Sequence, residues 1–341
     1  MSGAQTSARA NADAYVFEST RIRALENGLI GTDRLERLLN AEGLTRCEEL
    51  LEEFGVELVR DPETEAFDRE RTLELRLKRA YREALSVAEG DECFRLWLFP
   101  YDCNNIKVMI KCRYRGVRAD EMLFDYGTVG LDKLKEIFSD GSYEKLPVPF
   151  GEATAEAVRA LSATANPQTV DLILDAACYR AMLDLAKQSG VKFAETLVMQ
   201  KIDLTNLVTC LRRMRSSDRY VGEILPREFF LEGGSFSYEF LRGLCQAGEE
   251  EFWTRMGYSA YESVVLRDAR HASLGAVERA CDNFFMSTVR SARMIPYGAE
   301  PIIAYLLATE FEVKNLRILL SGQEISLSQK EIRKRMRLSY V

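Results

Sequence analysis

The chain has 341 residues, 47% hydrophobic and 29% charged, with a formal net charge of −7. That balance excludes a disordered chain, and the acidity argues against a nucleic-acid partner held by phosphate neutralisation. The best apolar run, 302–308, is far short of the roughly 20 residues a bilayer demands.

Taken in chain order, the first thirteen residues are small and polar and read as a frayed tail. The stretch 67–87 has helical periodicity, and Gly55–Val59 is the nearest approach to a strand. Long periodic stretches follow over 168–225 and 227–295. In the first, Val170, Ile173, Leu174, Ala177, Cys178, Ala181, Met182 and Leu185 follow the i, i+3, i+4, i+7 rule. Asn166 suits the N-cap of that helix, Pro167 its first position and Gly190 its stop. The segment AYLLATEFEVKNLRILLSG reads as one helix ended at Gly322. The fold class expected is all-α. Eight cysteines, with no Cys-x-x-Cys pair among them, read as reduced thiols of a cytosolic protein.

One polar signature recurs. An acid, two spacers, an asparagine and a branched aliphatic appear as Asp102-x-x-Asn105-Ile106, Asp203-x-x-Asn206-Leu207 and Glu312-x-x-Asn315-Leu316. Of nine asparagines, the only three followed by Ile or Leu are these. About seventy residues upstream of each acid lies a second block, with apolar residues spaced five and then three apart. The blocks are GLIGTDRLERLL (Ile30, Leu35, Leu38), GTVGLDKLKEIF (Val129, Leu134, Ile137) and GGSFSYEFLRGL (Phe236, Leu241, Leu244). From block to acid the separations are 72, 74 and 76 residues, counted 30 to 102, 129 to 203 and 236 to 312. A period near one hundred residues is domain-sized rather than solenoid-like. Three similar helical domains are expected, at 14–112, 113–217 and 218–341, the last carrying a C-terminal helix.

An acid and an asparagine at i and i+3 share a helix face. Pro100 makes Asp102 an N-cap candidate, but Glu312 lies mid-helix, so a role common to the three is tertiary: a buried polar pair tying the helix to a neighbour. A ligand-binding role for the pair is the alternative.

Catalytic patterns are sparse. His271 is the single histidine, in RDARHASLG with no nucleophile frame beside it. Neither a phosphate-binding glycine loop nor a dinucleotide fingerprint occurs, and no Cys/His cluster points to zinc. Asp171 and Asp175, one turn apart, are the nearest thing to the aspartate-rich helices of magnesium-diphosphate enzymes; the solvated-face reading stands against it. Residues 41–65 form an acidic run. The C-terminus carries Lys330, Arg333, Lys334, Arg335 and Arg337, a solvated face or a docking surface for an acidic partner or anionic headgroups. No cofactor is expected.

The opening YVFESTRIRALENGLI, the repeated landmarks and the closing EPIIAYLLATEFEVKNLRILLSGQEIS, followed by a helix ending near Tyr340, resemble the C subunit of bacterial and archaeal V-type (A-type) ATPases. The eukaryotic counterpart is the d subunit, and the resemblance covers about residues 14–340. One departure is the position two after each asparagine: basic in Lys107 and Arg317, Val208 in the middle copy. The resemblance implies three similar helical domains in a funnel of pseudo-threefold symmetry. It implies a non-catalytic rotor subunit at the cytoplasmic membrane face, between the central shaft of the ATPase head and the membrane rotor ring. A helical scaffold of another complex and a metal-dependent all-α enzyme using Asp171 and Asp175 are the competing readings.

Overall fold

A computed structural model describes residues 15–87, 92–215, 226–264 and 272–341. The N-terminal tail, His271 and the boundary at 217/218 lie outside the described residues. Among the described residues all regular structure is helical, with one isolated bridge between Arg60 and Phe67. Gly55–Val59 forms no strand.

The chain forms two compact units, Met1–Gly90 with Met256–Val341, and Asp91–Arg255. In the first lie α1 (Val16–Glu26), α2 (Thr32–Leu39), α3 (Leu44–Glu53), α4 (Arg69–Val87), α13 (Leu274–Arg290), α14 (Ala299–Glu324) and α15 (Gln329–Arg335). In the second lie α5 (Glu92–Arg95), α6 (Phe99–Arg115), α7 (Leu131–Asp140), α8 (Phe150–Thr164), α9 (Pro167–Ser189), α10 (Lys192–Arg215), α11 (Tyr238–Ala247) and all but the last residue of α12 (Glu249–Met256).

The first unit is built around α14. From Ala299 to Leu320 nearly every side chain is buried, and α1, α2, α3, α4, α13 and α15 all pack on it. A helix apolar on all sides must be enclosed, and this one is. The helix runs through Gly322 to Glu324 rather than stopping at the glycine. A Cβ on Gly322 would lie 2.6 Å from Ile332 Cγ1, so its role is to admit Ile332 of α15, which is buried there. Helix α15 is held at its start by a capping box between Ser328 and Glu331 and ends at Arg335, well before Tyr340. Residues 336–341 are non-helical.

The second unit is organised by α9, against which α6, α8 and α10 pack. Val170, Leu174, Cys178 and Met182 form its most buried stripe. Its ends follow local chemistry: the Asn166 side chain accepts from the Gln168 N–H at 3.0 Å, Pro167 opens the helix, and Gly190 closes it in the left-handed region at φ 70°. All eight cysteines are free.

Candidate functional site

Each signature makes the same local contact, a clasp between a helix and a distant loop. In the second unit, α6 carries Asp102 and Asn105, both buried. The Asn105 amide donates to the Phe124 carbonyl and accepts from the Phe124 N–H, both at 2.9 Å. Asp102 accepts from the Thr128 N–H at 3.0 Å, the Thr128 hydroxyl at 2.6 Å and the Val129 N–H at 3.2 Å. Helix α10 repeats this with Asp203 and Asn206. Asn206 pairs with both backbone groups of Leu231 at 2.9 and 2.8 Å. Asp203 accepts from the Ser235 N–H at 2.9 Å, its hydroxyl at 2.5 Å and the Phe236 N–H at 3.3 Å.

The residue types follow from the bonds. Only a carboxamide offers a donor and an acceptor side by side, so asparagine alone among short side chains satisfies one residue's N–H and C=O together. The acid meets only donors, which an ionised carboxylate accepts with both oxygens. Those donors sit just ahead of α7 and α11, where unpaired N–H groups and the helix dipole favour negative charge. Glycine is required beside it. A Cβ on Gly127 would stand 2.3 Å from Asp102 Oδ1, and one on Gly234 2.1 Å from Asp203 Oδ1. Asp102 is not an N-cap: α6 begins at Phe99, continuous with the 3-10 turn Leu96–Leu98.

The third clasp, in the first unit, is assembled from both ends of the chain. Asn315 of α14 donates to the Arg337 carbonyl at 3.0 Å and accepts from its N–H at 2.7 Å. Glu312 accepts from the Ile30 N–H, just ahead of α2. Leu29 stands where Thr128 and Ser235 supply a hydroxyl, and the missing donor is replaced by the Arg76 guanidinium, which pairs with Glu312 and reaches the Gly28 carbonyl at 2.9 Å. Burial disfavours the Arg76 cation, but the adjacent carboxylate outweighs it and holds its pKa above the ordinary arginine value. Among the described residues Asp102 forms no ion pair, and burial dominates over the donors from Thr128 and Val129 and the nearby charge of Arg95 and raises its pKa.

Pairing therefore runs forward in the chain for the first two, Asp102 to the block at Val129 and Asp203 to the block at Phe236, while Glu312 returns to the first block, at Ile30. The residues Gly127, Gly234, Thr128, Ser235 and Arg76 were not singled out by the sequence. The glycine two before each first apolar residue was the available signal.

Asp171 and Asp175 do come together, facing α6, but lysines fill the space between them. Lys107 Nζ lies 2.6 Å from Asp175 and 3.8 Å from Asp171, and Lys111 Nζ lies 2.6 Å from Asp171. Lys107 is the basic residue two after Asn105. Its counterpart Arg317 pairs with Glu70 at 2.9 Å, while Val208 is buried. Among the described residues no cluster of three metal-ligating side chains occurs. In the C-terminal basic run, Arg333 pairs with Glu36 at 2.5 Å and Arg337 with Asp282 at 2.9 Å. Lys330, Lys334 and Arg335 are exposed.

Residues 19–335 match the family of the ATP synthase (C/AC39) subunit. The chain belongs to that family. Among C/AC39 relatives, the C subunit of the V-type sodium ATPase of Enterococcus hirae is 24% identical over 326 residues, covering 94% of this chain and 97% of the relative. The C subunit of the A-type ATP synthase of Methanocaldococcus jannaschii is 24% identical, covering 94% of this chain and 85% of its own length. That of Haloferax volcanii is 25% identical over 90% of this chain and 92% of the relative. The C/AC39 match takes in all three signatures. No helix among the described residues is long and apolar enough to cross a membrane.

Proposed function

We propose that this chain is the non-catalytic central-stalk subunit of a V/A-type ATPase or ATP synthase, coupling the rotating shaft of the soluble head to the membrane rotor ring. It acts as a torque adaptor, built from three copies of one helical module arranged as a funnel and working at the cytoplasmic membrane face. The observation that carries the reading is the thrice-repeated clasp in a chain of the C/AC39 family. On the module boundaries proposed, each clasp would join a helix to the loop that opens the following module, and the last would join the third module to the first. A part that transmits rotation needs junctions that do not yield, and buried hydrogen bonds on a close-packed helical core supply stiffness. Neither substrate nor cofactor is required. The signature residues are structural, and the exposed Lys334 and Arg335, with Arg333 and Arg337 held in ion pairs, offer a docking surface to an acidic partner.

Reconstitution tests the reading directly. The purified chain is expected to form a complex with shaft subunits and, separately, with the detergent-solubilised rotor ring, and to restore coupling of ATP hydrolysis to ion transport in a complex lacking it. A chain that binds neither shaft nor ring would overturn the proposal.

A further inference from the structure

Helices α10 and α11 pack together in the second unit, and each contributes one cysteine to their contact. Cys210 on α10 is fully buried, with its Sγ 3.7 Å from the Leu241 carbonyl. That carbonyl belongs to the residue one helical turn before Cys245 on α11, so the two thiols face the same helix contact. Cys245 is only half-buried, the one cysteine of the eight that is not fully enclosed. Arg213, one turn beyond Cys210 on α10, puts a cation beside it. The pair is therefore asymmetric: an accessible thiol next to positive charge, backed by a sequestered one.

We propose that Cys245 and Cys210 form a redox-active dithiol in which Cys245 attacks and Cys210 resolves, stapling α11 to α10 when a low-molecular-weight disulfide is the oxidant. The Cys245 thiolate attacks one sulfur of the oxidant and releases the other as a thiolate, leaving a mixed disulfide on Cys245. Cys210 then attacks the Cys245 sulfur and expels the second small molecule as a thiolate, which takes up the Cys210 proton as it leaves. Two protein thiols are oxidised, and the oxidant is reduced to two thiols. Thiolate character at the accessible member favours this order. Interaction with the Cys210 thiol keeps Cys245 below the ordinary thiol range against the opposing effect of burial, with Arg213 assisting. The same interaction, with burial, drives Cys210 far above it. Mixed-disulfide formation removes the Cys245 charge, one of the causes that hold Cys210 protonated.

The pair Cys103 and Cys178 is the internal contrast. These thiols also lie where two packed helices meet, α6 and α9, yet both are buried, Cys103 faces the Asp175 carboxylate at 3.8 Å and Cys178 faces Met182 Sδ at 4.0 Å. That pair stays reduced. The staple falls on a particular junction: α10 carries Asp203 and Asn206, and α11 begins just after the Ser235–Phe236 segment they clasp. Oxidation would add a covalent bond beside the second clasp, without depending on the rotor reading.

The test is incubation of the folded chain with glutathione disulfide, rapid alkylation and peptide mapping by mass spectrometry. The expected map contains a Cys210–Cys245 linked peptide, with Cys103 and Cys178 alkylated only after unfolding. The Cys210→Ala variant should instead accumulate glutathione on Cys245, and the Cys245→Ala variant should form neither product. In wild type, Cys245 alkylation by iodoacetamide should titrate with a midpoint below about 8.5, the value of a free thiol. A Cys210→Ala variant that keeps wild-type circular dichroism yet leaves Cys245 unmodified overturns the proposal. So does a wild-type map in which Cys245 retains glutathione while Cys210 remains free.

Discussion

Glu312 accepts a hydrogen bond from the backbone N–H of Ile30, 282 residues earlier in the chain. Its other oxygen is held by Arg76. The acid and its cation are both largely enclosed, with side-chain exposures of 3% and 17%. Breaking such a pair from one side leaves an uncompensated buried charge, at a cost of about 3–5 kcal/mol. Arg76→Met should therefore lower stability by several kcal/mol in urea unfolding. Glu312→Gln on the same background should restore part of the loss, because the amide oxygen still accepts from Ile30. A double variant no more stable than Arg76→Met alone would show that the ion pair is not the source of the loss.

Asn206→Ala removes two hydrogen bonds and orphans both backbone groups of Leu231. With about 1–3 kcal/mol for each buried group left unsatisfied, the melting temperature should fall measurably, while binding to partner subunits is retained once the protein is folded. Asn105→Ala and Asn315→Ala should cost similar amounts, since each orphans one residue in the same way. Unchanged thermal stability together with lost partner binding would assign the asparagines to recognition instead.

Gly234→Ala forces a Cβ into the Asp203 carboxylate and should destabilise by about 1–3 kcal/mol, typical of overpacking. Gly243→Ala, in the interior of α11 with only the Arg255 side chain nearby at 3.7 Å, should stabilise by up to about 1 kcal/mol through helix propensity. Thermal denaturation of the two single variants, opposite in sign, separates the steric argument from a general intolerance of change.

Asp102 has a folded-state pKa above its unfolded value, with burial the largest cause. Its titration therefore contributes stability that is fully present below the unfolded pKa and is lost as pH rises through the folded pKa. Asp102→Asn keeps the acceptor for the Thr128 and Val129 N–H groups but cannot titrate. Between pH 7 and about pH 4, wild type should gain stability relative to Asp102→Asn as the pH falls. Parallel stability–pH curves for the two proteins would show that the clasp does not raise this pKa.

Much of the helical content was legible because it is local. The Asn166–Pro167 start and Gly190 stop of α9 need nothing beyond their own neighbours, and the apolar periodicity of α4 and the unbroken helical stretch of α14 are written along the chain. The landmarks were legible too, since Asp102, Asp203 and Glu312 keep their distance from Asn105, Asn206 and Asn315. Gly322 is different: a glycine that makes room for Ile332 looks, in one dimension, like a glycine that ends a helix. The closing helix is shorter than its sequence suggests for a similar reason, as the backbone pairing of Arg337 with Asn315 holds the last residues out of helical geometry.

Amino-acid order by itself determined that the chain is helical, which residues form the recurring signature, and which family it resembles, because these depend on spacing and local propensity. Only the tertiary structure decided what the signature binds. Reading along the chain joins each acid to the block before it, whereas folding joins each to the block after it and the last to the first. It also placed Lys107 and Lys111 between Asp171 and Asp175, and Arg76 against Glu312. Hydrogen-bond and ion-pair partners are chosen by proximity in space, and proximity arises only when helices separated by tens or hundreds of residues pack together.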